Sequence, residues 1–75
     1  MKFTCRFENK TTGERRDLIS VLDPGEVAAV ERVRLAEGDE AAQFTASCYV
    51  LRSAYAELDA LQWGHLSPPE LVTLN

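Results

Sequence analysis

The chain has 75 residues, and its 12 acidic side chains outnumber the 8 basic ones, which gives a net charge of −4. This length supports one hydrophobic core, so residues 1–75 are expected to form a single small domain of modest stability. Hydrophobic residues make up 45% of the chain and charged residues 27%, which is typical of folded proteins and not of disordered ones. The acidic balance works against general attraction to nucleic-acid phosphates and anionic lipid.

The sequence carries no pattern for membrane insertion or export. Its apolar runs, such as residues 48–51, are far shorter than the roughly 20 residues of a membrane span. Arg6 and Glu8 interrupt the N-terminal segment before a signal-peptide core could form. We therefore expect a cytoplasmic protein with no membrane contact.

The N-terminal segment alternates as a half-buried β-strand does. Its apolar side chains occupy every second position, namely Phe3, Cys5 and Phe7. Residues 9–13 are turn formers, with Gly13 where a longer hairpin loop needs a positive φ angle. Residues 16–22 are rich in β-branched and aliphatic side chains and should return antiparallel to the first strand. The pattern predicts a β-hairpin over residues 2–22.

A helix start signal follows the hairpin directly. Asp23 is suited to cap the helix, Pro24 to its first position, and Glu26 to reach back as in a capping box. This predicts a helix over residues 24–37, which Gly38 ends. The alternative is one long helix that continues past Gly38 with a kink.

A second, longer helix is predicted over residues 39–62. Its clearest apolar stripe repeats every three or four positions and contains Ala41, Phe44, Cys48, Leu51, Tyr55 and Leu58. We expect this stripe to pack on the hairpin. The predicted core is one cluster of Phe3, Phe7, Ile19, Val21, Val30, Phe44, Leu51, Tyr55 and Leu58.

The C-terminal residues 63–75 are predicted to form an extended tail packed on the core. Two alternatives remain: a short helix opened by residues 67–70, or a third strand over residues 71–74 beside the hairpin. The predicted fold class is α+β, with a β-hairpin, a short helix, a long helix and the tail in that order.

The residues with reactive side chains do not form a recognisable active-site motif. Cys5 and Cys48 both fall on predicted inward faces, so we expect two reduced core thiols. His65 is the one side chain suited to proton transfer near neutral pH, and no nucleophile is paired with it by sequence. The four glycines stand singly, which excludes the common phosphate-binding loops. No catalytic, cofactor-binding or metal-binding residue is assigned.

The best candidate for function is a protein-contact surface on the second helix. The side opposite the predicted stripe is rich in alanine and weakly charged, and it allows close approach of another helix. The candidate contact residues are Ala46, Tyr49, Ser53, Ala56 and Trp63. The sequence thus predicts a non-enzymatic protein-interaction module that binds a protein partner or forms a homodimer.

The alternative function is nucleic-acid binding by the basic residues of the hairpin. The candidates are Arg6, Lys10, Arg15 and Arg16. Acidic residues are interleaved with them, which is typical of an ordinary solvated strand face, so nucleic acid ranks below a protein partner. An enzyme of unidentified chemistry is the third interpretation.

Overall fold

The computed structural model describes residues 1–72 and contains a four-stranded antiparallel sheet and two helices. The elements are, in order, β1 (Lys2–Asn9), β2 (Arg15–Val21), α1 (Pro24–Glu37), α2 (Asp39–Glu57), β3 (Trp63–His65) and β4 (Glu70–Leu71). The predicted α+β class and the order of hairpin, helices and extended tail are confirmed. Neither helix within the described residues has the length and apolarity needed to cross a bilayer.

The central strand of the sheet is β1. It pairs with β2 along its whole length, whereas β3 pairs with its C-terminal end and β4 with its N-terminal end. The tail is therefore extended, and the alternative of a helix opening at residues 67–70 is wrong. Of the alternative third strand over residues 71–74, Leu71 belongs to β4, which begins at Glu70, and Val72 follows the end of that strand. Residues 73–75 lie outside the described part of the chain.

The hairpin loop is held by the side chain of Asn9. Its carboxamide oxygen accepts the backbone N–H groups of Thr11 at 2.8 Å and Thr12 at 3.0 Å. Gly13 then adopts a φ of 76° and donates its N–H to the Asn9 carbonyl oxygen at 2.8 Å. The positive φ expected at Gly13 is thus confirmed, because this tight loop needs a left-handed residue.

Helix α1 has the predicted bounds, and Gly38 separates it from α2. Asp23 accepts the N–H of Glu26 at 2.8 Å, and the Glu26 carboxylate accepts the N–H of Asp23 at 3.0 Å, which completes the capping box. Gly38 has φ 100° and ψ 177°, a conformation open almost only to glycine. The chain changes direction there, so the alternative of one continuous helix is wrong.

The second helix ends earlier than predicted, at Glu57 and not at residue 62. Leu58 is extended, with φ −105° and ψ 134°, and its side chain is buried. Asp59 then closes a turn: its carboxylate accepts the Leu61 N–H at 2.9 Å, and its carbonyl oxygen accepts the Trp63 N–H at 2.8 Å. An aspartate that binds nearby backbone N–H groups competes with continuation of the helix.

The core consists of two clusters and not of the single cluster predicted. The first contains Phe3, Leu22, Val30, Ala42, Ala46 and Val50, and the second contains Cys5, Phe7, Ala54, Leu58 and Trp63. Both strand β1 and helix α2 contribute to each cluster, because they extend across both. Of the predicted core, Phe3, Phe7, Val30 and Leu58 are buried, Leu51 and Tyr55 are half-buried, and Ile19, Val21 and Phe44 are exposed.

The helix α2 is rotated relative to its predicted orientation. Its buried residues are Ala42, Ala46, Val50 and Ala54, at a constant spacing of four. Phe44, from the predicted stripe, is 71% exposed, and Cys48 is exposed as well. Small side chains on the buried face let the helix backbone approach its neighbours closely, which a face of Phe44 and Leu51 would prevent. The prediction that the larger apolar stripe is buried is therefore wrong for Phe44 and Cys48, whereas Leu58 is buried and Leu51 and Tyr55 pack against the second core cluster.

Candidate interaction site

The contact residues predicted on α2 do not form one surface. Ala46 and Trp63 are buried, each in one of the two core clusters. Tyr49 is half-buried, with the Arg52 guanidinium 5.9 Å from its ring centre, and Ser53 and Ala56 are exposed. The prediction of a shared outer face is wrong for Ala46, because the rotated helix turns its alanine face inward, and for Trp63, because α2 ends before it and Trp63 lies in β3.

Trp63 is buried because β3 adds it to the inner face of the sheet. It lies opposite Asn9 of β1, which is also buried. Arg16 of β2 reaches across this face and places its guanidinium carbon 4.8 Å from the centre of the Trp63 ring. A cation over an indole face contributes about 0.5–1 kcal/mol when exposed. Arg16 thus helps to cover the core.

The basic candidates on the hairpin do not form one patch, and the three arginines among them each form an ion pair with a nearby carboxylate. Arg6 binds Asp17 at 3.0 Å, Arg15 binds Glu8 at 3.3 Å, and Arg16 binds Glu14 at 2.9 Å. The first two pairs follow from the register, in which Arg6 is opposite Asp17 and Glu8 is opposite Arg15. Lys10 is exposed in the loop. Pairing lowers the positive potential that phosphate groups would need.

The two cysteines lie in different environments. Cys5 is buried, as predicted, and its thiol donates to the Ser67 carbonyl oxygen at 3.5 Å. Burial raises the pKa of the Cys5 thiol, because the thiolate loses its hydration. Cys48 is exposed on α2, so the prediction that it faces the core is wrong. Its position follows from the rotation of the helix.

We expect a thiol reagent to modify Cys48 much faster than Cys5 in the folded protein. The reacting species is the thiolate, which is disfavoured at Cys5 and reached with difficulty there. Mass spectrometry of peptides after short exposure to iodoacetamide measures both rates in one sample. Labelling in denaturant is the control, where the two rates should converge. Equal rates in the folded state would contradict the burial of Cys5.

His65 connects the end of α2 to β3. Its Nδ1 lies 3.0 Å from the Tyr55 hydroxyl oxygen, and the two rings are edge to face with centres 6.2 Å apart. Phe7 packs against both rings. These contacts give His65 a structural role, in which it joins β3 to Tyr55 of α2 and Phe7 of β1. Across residues 1–72, no three His, Cys, Asp or Glu side chains come together as metal ligands.

A depression on the side of the sheet that carries Thr4, Arg6 and Asp17 has a volume of about 460 Å³. It is lined mainly by polar and charged side chains, including Thr4, Arg6, Asp17, Ser67 and Glu70. The Arg6–Asp17 ion pair lies within it. Small-molecule sites are usually enclosed and mostly apolar, so this shallow depression is a weak candidate for such a ligand.

Strand β2 is an edge strand whose free side can be identified residue by residue. The Leu22 N–H donates to the Met1 carbonyl oxygen at 2.9 Å, and the Asn9 N–H donates to the Glu14 carbonyl oxygen at 2.7 Å. Even-numbered residues of this segment therefore direct their backbone groups toward β1. The odd-numbered residues direct theirs away from β1, and they are Arg15, Asp17, Ile19 and Val21. Within residues 1–72, β2 pairs with β1 and with no other strand.

The same odd-numbered residues place their side chains on the outer face of the sheet. Ile19 is opposite Thr4 and Val21 is opposite Lys2, and both β1 residues lie between the buried positions. Ile19 is 65% exposed and Val21 is 67% exposed. The prediction that they join the core is wrong, since Leu18 and Leu22 supply the inward apolar side chains of this segment. The sequence alone did not indicate this exposed edge, because the hairpin register decides which face of β2 is buried, and the register could not be predicted.

The opposite edge of the sheet is built differently. It consists of the three-residue β3 and the two-residue β4, separated by residues 66–69. Pro68 and Pro69 have no N–H group to offer a further strand. Short strands and prolines are features that keep an edge from pairing. Of the two edges, β2 is the one suited to accept another strand.

The fold and these surfaces together define a small α+β protein with a helical layer on one face of its sheet and an open seven-residue edge strand. Comparison with models of known protein families, with curated proteins and with solved structures finds no match.

Proposed function

We propose that this protein is a non-enzymatic interaction module that binds a protein strand along the open edge of β2. One observation carries the proposal. The edge directs the backbone N–H and C=O groups of alternate residues away from the sheet, and it exposes Ile19 and Val21 beside them. Strand addition uses this combination, with backbone hydrogen bonds for affinity and alternate side chains for specificity.

The shape of the molecule supports the proposal. Its radius of gyration is 13.1 Å and its extents are 42 × 27 × 19 Å. A compact chain of this length would have a radius of gyration of about 11 Å. A thin, elongated domain leaves more apolar surface in water, and a partner strand would extend the sheet and cover part of that surface.

A protein partner fits this edge better than nucleic acid does. The arginines on the outer face, Arg6 and Arg15, are already paired with carboxylates, and the chain carries a net charge of −4. A strand edge offers directional backbone groups, which match another peptide backbone and not a phosphate chain. The edge of β2 therefore favours a peptide partner over nucleic acid.

A photo-reactive amino acid at position 19 tests the proposal in cells that express the protein. We expect a crosslinked adduct from position 19, and we expect Val21→Lys in the same chain to abolish it, since the lysine places a charge in the apolar contact. Leu35 is the matched control because it is 87% exposed on α1, away from the edge. Adducts from position 35 equal to those from position 19 would contradict the proposal, as would adducts that Val21→Lys leaves unchanged.

A further inference from the structure

We infer that the strand occupying this edge is β2 of a second copy, paired antiparallel about a twofold axis. The inference rests on the proposed function and names its partner. Two identical strands in antiparallel order present the same donors and acceptors to each other, so the contact closes after two copies. Each outward residue finds an equivalent set of backbone groups on the other chain.

The alternation of the edge limits the registers of such a pair. Outward residues must lie opposite outward residues, because they exchange backbone hydrogen bonds. A pair centred on Asp17 would set two carboxylates directly opposite each other, which is destabilising. A pair centred on Leu18 would set Ile19 opposite Asp17 and join neither apolar partners nor opposite charges.

Among the registers centred on residues 17–20, two remain, those centred on Ser20 and on Ile19. Centring on Ser20 brings Ile19 opposite Val21 but sets Asp17 opposite Asp23, two like charges. It also shortens the ladder, because the Asp23 N–H already donates to Glu26 at 3.0 Å in the helix cap.

Centring on Ile19 gives both an apolar pair and pairs of opposite charge, which the Leu18 register does not, although it leaves Asp17 opposite an aliphatic side chain. The two Ile19 residues then meet at the axis, and the Asp17 of each copy lies opposite Val21 of the other. At each end Arg15, which bonds to Glu8 at 3.3 Å within its own copy, comes opposite Asp23, so that its guanidinium lies between two carboxylates. The backbone groups of Asp17, Ile19 and Val21 complete the ladder. This register is the one we assign.

The assembled dimer has a defined architecture. A twofold axis between adjacent antiparallel strands runs perpendicular to the sheet, so the two four-stranded sheets join into one continuous sheet. The helices of both copies lie on the same face of it. Ile19 and Val21 of each copy gather on the opposite face around the axis. The edges that remain are the interrupted ones built from β3 and β4.

Amide hydrogen exchange measured by NMR at several protein concentrations tests the inference. The amides of Asp17, Ile19 and Val21 should exchange at least tenfold more slowly at high concentration than at low. The amides of Leu18, Ser20 and Leu22 bond to β1 within one copy and should be protected at both. The apparent mass from sedimentation equilibrium should rise over the same concentration range toward twice the 8.4 kDa of one chain.

Two variant pairs test the register. Ile19→Lys sets two ammonium groups at the axis and should return the monomer, whereas Leu35→Lys, on the exposed side of α1, should leave the dimer intact. In a Cys48→Ser background, oxidation should link two copies of Ile19→Cys, because directly opposed residues have Cα atoms about 5.5 Å apart. Val21→Cys is displaced from its equivalent by four positions and should stay unlinked.

Each contrary outcome overturns the inference. A monomer at every concentration, with rapid exchange at Asp17, Ile19 and Val21, rules out self-pairing. If position 19 still crosslinks to a different protein, the proposed interaction function stands while the second copy is excluded. A dimer that survives Ile19→Lys, or that is linked through Val21→Cys, places the contact elsewhere or in another register.

Discussion

Replacement of Phe7 by alanine is expected to lower the free energy of unfolding by about 3–5 kcal/mol, the usual cost of removing a buried aromatic side chain. Phe7 is completely buried in the second core cluster, and its ring meets that of Tyr55 edge to face with centres 5.5 Å apart. The loss would be a large part of the total stability, since a domain of this size has roughly 5–10 kcal/mol. Urea denaturation followed by circular dichroism measures it.

Phe44→Ala is the matched control, because it removes the same side chain from an exposed position on α2. We expect a change within about 0.5 kcal/mol, as is usual at the surface. Comparable losses in the two variants would contradict the rotation of α2 and restore the stripe predicted from the sequence. Comparison of the two losses in free energy of unfolding therefore tests whether Phe44 lies on the exposed face of the helix.

The hairpin and the first helix were predictable because local rules determine them. Alternation of Phe3, Cys5 and Phe7 requires a strand with one buried face, and that face is the buried one. Asp23 and Glu26 satisfy each other's backbone N–H groups through contacts only three residues apart. Such signals do not depend on the rest of the chain, so the sequence carries them completely.

The orientation of α2 could not be predicted in the same way, because apolar residues lie on more than one side of the helix. Phe44, Cys48 and Leu51 mark one stripe, and Ala42, Ala46 and Val50 mark another. Hydrophobicity favours the stripe with the larger side chains. Close packing against α1 and the sheet favours the small ones, and this tertiary effect decides the outcome.

The candidate site was missed for a related reason. Both faces of the second strand carry aliphatic residues, Leu18 on one and Ile19 with Val21 on the other. The register of the hairpin decides between them, and it depends on the loop in which Asn9 and Glu14 are hydrogen-bonded. Once the loop is known, the outward position of Ile19 and Val21 follows directly.

Ala46→Glu is expected to unfold most of the protein, with a loss of about 3–5 kcal/mol, because it places an unpaired carboxylate in the core. Ala46 is buried in the first cluster together with Phe3 and Val30. The loss cannot come from the helix itself, since glutamate is almost as good a helix former as alanine. Thermal and urea melts by circular dichroism measure the change.

Ala56→Glu is the control that separates burial from the substitution itself. Ala56 is exposed on the same helix, so we expect the free energy of unfolding of this variant to change by no more than about 0.5 kcal/mol. Because neither alanine lies on β2, a folded Ala56→Glu chain should also keep any association through that strand. If Ala46→Glu were tolerated and Ala56→Glu destabilising, the buried face of α2 would be the opposite one. Dissociation of a dimer by Ala56→Glu would place the contact on the helix and not on the strand edge.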